Sequence, residues 1–190
     1  FINKPQDPSR NLRILQHYFN NGGNDVRNMY YAGLEYFNHN DLPNSIKYLT
    51  EYVGKSGWDD EKAMAFIKLV EIAERQGLPQ QVLHYALELI KLKPDWFESY
   101  YAACKAYYYL AKWPQCAMYG QFAVKCPPTD TLLFVNEAER FYIHQYLNVA
   151  LNNIGDLPGA LASTQAGLIG LPGHPQLLNN QRQYQNILGI

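Results

Sequence analysis

Asp59, Asp60 and Glu61 set three carboxylates side by side, a grouping that could serve acid–base catalysis or hold a divalent cation. They follow Gly57-Trp58 and precede an apolar-periodic stretch. That is the place of acidic residues capping a helix N-terminus, where the backbone dipoles favour negative charge. Gly54-Lys55-Ser56 ends like a phosphate-binding loop, but such a loop needs a glycine where Leu49 stands, and a strand where the pattern is helical. It reads as the last turn of a helix. His17, His39, His84, His144 and His174 are scattered without metal-ligand spacing and read as structural or solvated. Cys104, Cys116 and Cys126 are odd in number and lack a C-x-x-C spacing. They read as free, mostly buried thiols of a reducing compartment, not as a zinc site or a disulfide framework. Asp130, between Thr129 and Thr131, reads as a turn or cap. No nucleophile, base and metal-ligand set assembles from these residues, so no catalytic residue, metal or cofactor is assigned, and this chain alone is not expected to be an enzyme.

The elements that carry these residues announce themselves through proline. Leu42-Pro43, Leu78-Pro79, Trp113-Pro114 and Leu157-Pro158 each sit between two helix-like stretches. Proline is tolerated at the first helical position because its missing N–H would have no intrahelical partner there. Aligning on these prolines predicts helix pairs over 26–39 with 43–54, about 58–77 with 79–92, 96–110 with 114–125, and 137–154 with 158–170. A leading helix near 8–20 and a closing helix near 175–188 would cap the ends, since terminal repeats cannot bury both faces. The repeats fall at about 26–57, 58–94, 96–128 and 137–172 within a single domain, 1–190, with extra residues at 54–57 and 126–135.

A helix pair repeating about every 34 residues, with small residues at the crossing and proline after the second helix, is the tetratricopeptide (TPR) pattern. Pro94 and Pro128 stand one such period apart. Ala32-Gly33, Ala102-Ala103 and Ala123 fall at the close crossings, Tyr36 and Tyr107 at the large aromatic position, and Gly155-Asp156-Leu157 at the inter-helix turn. The fold class expected is all-α, a TPR-like right-handed α-solenoid of about four helix pairs with capping helices. In such arrays the first helix of each pair lines the concave face. Carrying the helical phase along places Arg27, Tyr30, Glu71, Glu74, Glu98, Tyr101, Lys105, Tyr108, Tyr142, Gln145 and Asn152 there. Tyrosine beside charged and amide groups gives flat stacking surface and directional hydrogen bonds for a peptide or a sugar.

The order of several pieces is similar to a narrower group. Arg10-Asn-Leu-Arg-Ile-Leu15, Tyr30-Tyr-Ala32, Gly57-Trp-Asp-Asp-Glu61, Lys93-Pro94 with Glu98, and Pro128-Thr-Asp-Thr-Leu-Leu-Phe-Val135 with Tyr142 span residues 10–172. In that order they resemble the C-terminal TPR segment of bacterial and phage family-2 glycosyltransferases. The resemblance implies a non-catalytic tail that positions an acceptor or mediates assembly, with the sugar-transferring domain N-terminal to Phe1. That domain would use an aspartate-rich motif on an α/β fold; this chain has no D-x-D triplet and no β–α–β alternation. The rival expectation is a stand-alone adaptor for a peptide or protein.

Composition sets the partner classes. Hydrophobic residues are 47% and charged residues 17%, the balance of a globular chain, with no apolar run long enough for membrane insertion. A net charge of −1 argues against a nucleic-acid partner. The expected partners are a protein, a peptide or a glycan acceptor, in the cytoplasm. The stripe Leu177, Leu178, Tyr184, Ile187 and Leu188 reads as an exposed seam through which terminal helices could form a homodimer.

Overall fold

The computed structural model describes residues 7–127 and 139–190, all helix and turn. The helices are α1 (Arg10–Asn20), α2 (Val26–Asn38), α3 (Leu42–Lys55), α4 (Asp59–Arg75), α5 (Pro79–Leu92), α6 (Phe97–Tyr109), α7 (Trp113–Lys125), α8 (Glu139–Asn153), α9 (Leu157–Gly170) and α10 (Pro175–Leu188). They form two compact units, Phe1–Ile72 and Ala73–Ile190, with the division falling inside α4. The helix start expected at 137, the Pro128 stop, the insertion through Val135 and the turn at Asp130 lie outside the described residues.

One turn recurs four times. Asn40, Gly77, Ala111 and Gly155 hold left-handed backbone, with φ of 58°, 66°, 52° and 86°. The next N–H in each case reaches back across the last turn of the preceding helix: Asp41 to Tyr36 O (2.9 Å), Leu78 to Ala73 O (3.0 Å), Lys112 to Tyr107 O (2.9 Å) and Asp156 to Leu151 O (2.9 Å). This closure satisfies carbonyls that the helix end would otherwise orphan. The prolines then open the next helix. Asp41 and Asp156 add a side-chain cap, accepting from the N–H of Asn44 (3.2 Å) and Gly159 (2.9 Å). The leading helix starts at Arg10, later than the expected 8, because Pro8 and Ser9 form a turn in which Ser9 N–H bonds Asp7 Oδ1 (3.0 Å).

In the first unit α2 packs on α3 through Gly33, where an added Cβ would sit 2.5 Å from Leu49 Cγ. The buried Ser45 hydroxyl donates to the Gly33 carbonyl (2.8 Å) across the same crossing. In the second unit α5 to α10 pack in chain order, and α6 also meets α8. Its core gathers Phe97, Ala117, Ile143, Leu147, Leu151 and Leu161 with Cys104 and Cys116. Those two thiols are free and buried, as expected, but lie together with sulfurs 3.6 Å apart; Cys126 is half-buried.

The closing helix corrects one expectation. Leu177 is fully buried, Tyr184 is buried, and Leu188 packs against the core, so most of the supposed dimer seam faces inward. Tyr184 Oη and Asn180 Nδ2 both donate to Asn148 Oδ1, at 3.0 and 2.7 Å. The stripe seats α10 on its own unit, and only Ile187 stands well exposed.

Candidate binding cleft

In the second unit a cleft of about 510 Å³ opens beside the turn at Gly77. Leu78, Pro79, Val82 and Ala106 supply apolar wall, and Glu74, Lys105, Tyr109 and Tyr146 supply the polar and aromatic groups. Each of the last four comes from the first helix of a pair: α4 gives Glu74, α6 gives Lys105 and Tyr109, and α8 gives Tyr146. Lys105 and Tyr109 are one helical turn apart and so share a face.

Lys105 Nζ straddles the Glu74 carboxylate, 2.7 Å from Oε1 and 2.8 Å from Oε2, and sits 5.1 Å from the Tyr101 ring centre. Its side chain is only 18% exposed, so the pair is partly desolvated and held by its surroundings. Tyr146 forms the floor, with Tyr108 edge-on at 5.1 Å and Tyr101 at 6.1 Å behind it. Burial, then the neighbouring Tyr109, pushes the Tyr146 phenol far up, so it stays a neutral hydrogen-bonding group. Tyr109 is 64% exposed and forms the outer lip.

The predicted residues separate into distinct settings. Glu74 and Lys105 line the cleft; Tyr101 and Tyr108 support it from behind, with Tyr101 also stacked on Phe97 (5.2 Å). Arg27 and Tyr30 belong to a cluster in the first unit. There Arg27 Nε meets Glu61 Oε1 at 3.3 Å, and its guanidinium lies 5.3 Å from Trp58 and 5.7 Å from Tyr31. Tyr30 packs on Tyr52 (5.2 Å), whose hydroxyl donates to Glu61 Oε2 at 2.6 Å. Burial first, and then Glu61, pushes the phenols of Tyr30 and Tyr52 up to about 12. Glu61 is therefore a buried anchor between helices, more than the cap its position announced. Glu71 pairs with Lys68 (2.6 Å) on α4, and Glu98 sits in the first turn of α6. Tyr142 lies against His174 (6.3 Å), the Gln145 carbonyl accepts from Asn148, and Asn152 is exposed; none of these three lines the cleft. The helical phase of the sequence does not single out Tyr109 and Tyr146, although each stands four residues beyond an expected site residue, Lys105 and Tyr142.

His144 is buried with Nδ1 3.0 Å from Ser163 Oγ, and burial holds its pKa below the usual histidine value. Among the described residues, no group of three or more His, Cys, Asp or Glu could hold a metal ion, and no helix is long and apolar enough to cross a membrane.

No protein-family model matches the sequence, and no curated protein matches it. Solved structures do resemble it. YrrB, a TPR protein with an unusual peptide-binding site, superposes with a TM-score of 0.71 at 14% identity, over 92% of this chain and 84% of YrrB. MamA gives a TM-score of 0.69 at 15% identity, over 86% and 82%. MamA from Desulfovibrio magneticus RS-1 gives 0.68 at 16% identity, over 90% and 89%. At these identities the likeness is one of fold: the chain is all-α and TPR-like.

Proposed function

We propose that this chain is a non-catalytic interaction module that holds an extended peptide segment of a partner protein in the cleft of its second unit. The cleft itself carries the reading: a fixed ion pair and two phenols from three successive first helices, beside the apolar wall that Leu78 and Val82 supply at the start of α5. A peptide presents just the groups that such a surface engages, an apolar side chain and backbone amides. The peptide-binding site of YrrB, a fold neighbour, lends support from outside the chain. Random-peptide display on the whole chain tests it. Enriched peptides should bind Tyr109→Ala about tenfold more weakly than wild type and bind Trp58→Ala unchanged. Equal binding to wild type and Tyr109→Ala would overturn the assignment.

A narrower reading places the module at the C-terminal end of a family-2 glycosyltransferase, where it would position a protein or glycan acceptor. Its support is the ordered motif set over residues 10–172 of the sequence. The intact mass of the native polypeptide decides between tail and stand-alone adaptor. A product several hundred residues longer that transfers a nucleotide-activated sugar supports the tail; a native chain of about this length supports the adaptor.

A further inference from the structure

We infer that Glu74 sets the selectivity of this cleft, turning it away from acidic groups and toward a neutral apolar peptide side chain. The inference rests on the reading of the cleft as a peptide site and specifies its ligand. Among the described residues lining the cleft, Glu74 and Lys105 are the only charged ones. A lone lysine in such a place would draw a carboxylate, either a chain terminus or an acidic side chain. Here both oxygens of Glu74 already lie within 2.8 Å of Lys105 Nζ, so the ammonium is neutralised from within the protein. An incoming carboxylate would have to displace Glu74 or approach it closely, and like charges in a partly desolvated site repel strongly. What remains for a ligand is the apolar wall of Leu78, Pro79, Val82 and Ala106, with Tyr109 and Tyr146 beside it. That composition suits a leucine- or phenylalanine-sized side chain with its neutral flanking amides.

Two probes of the same shape separate these outcomes: N-acetyl-phenylalaninamide, which is neutral, and N-acetyl-phenylalanine, which carries a carboxylate. Each is titrated into the whole chain while amide chemical shifts are followed. In wild type the neutral probe should shift the signals of Val82, Ala106 and Tyr109, and the carboxylate should bind about tenfold more weakly. Glu74→Gln keeps the shape and releases Lys105, so it should shift the ratio of carboxylate to neutral-probe affinity about tenfold in favour of the carboxylate. Adding Lys105→Met to that variant should erase the gain, and matching amide spectra of the three proteins would show that the fold is kept. A wild-type chain that prefers the carboxylate, or a Glu74→Gln variant with unchanged preference, overturns the role of Glu74 while leaving the cleft as the binding site. If neither probe moves the cleft signals of wild type, the cleft reading fails and the inference falls with it.

Discussion

Both units join successive first helices through an ion pair, and the two pairs do different work. In the first unit Arg27 of α2 meets Glu61 of α4; in the second Lys105 of α6 meets Glu74 of α4. The Glu61 side chain is 10% exposed, and its second oxygen is taken by Tyr52, so the carboxylate is consumed by the packing. The Glu74 side chain is 29% exposed and edges a hollow. A charged pair with every acceptor satisfied by its own unit is a fastener. The same chemistry beside open apolar wall becomes the border of a site.

Breaking the two carboxylates should separate these roles most sharply. Glu61→Ala leaves the buried Tyr52 hydroxyl without its acceptor and should cost about 2–3 kcal/mol, read as a lowered urea midpoint. Glu74→Ala should cost under about 1 kcal/mol, because its pair is partly solvated. Equal losses would erase the distinction between fastener and border.

Next in size is the pH response. Tyr30 and Tyr52 are held neutral in the folded chain up to about 12, above the ordinary tyrosine value of about 10. Their contribution is fully present below about pH 10 and is lost as pH rises toward 12. The urea midpoint should therefore fall over that alkaline range, and Tyr30→Phe should reduce the fall. His144, in the second unit, has the opposite sign. Its folded pKa is depressed, so stability is present above about pH 6.5 and declines as pH falls through the folded value. His144→Gln should flatten this acid limb and leave the alkaline one alone.

The smallest effect concerns the repeated turn. Ala111 occupies a left-handed position that glycine holds at 77 and 155. Ala111→Gly should raise the urea midpoint by the equivalent of about 1 kcal/mol, since only the alanine Cβ resists that conformation. The corresponding change Gly155→Ala should lower it by a similar amount.

Much of the helical layout was legible because its signals are local. Pro43, Pro79, Pro114 and Pro158 mark helix starts, and Asn40, Gly77 and Gly155 mark the stops before them. Glu61 was less legible. Its neighbours in sequence signal a cap, whereas its partners Arg27 and Tyr52 come from other helices. The α10 stripe shows a related limit: periodicity locates an apolar face but not whether the chain itself covers it, as Leu177 and Tyr184 are covered here. For the cleft, helical phase points to Lys105 and Glu74, but at α8 it points to Tyr142, one turn before Tyr146. Only the packing of α8 against α6 decides which of the two tyrosines reaches the hollow.

A crystal structure of the chain with a display-enriched peptide bound would show where the peptide sits. The peptide should lie extended in the second unit, with an apolar side chain against Leu78 and Val82 and the Lys105–Glu74 pair intact beside it. A peptide seated instead on Trp58 and Tyr31 of the first unit would contradict this placement.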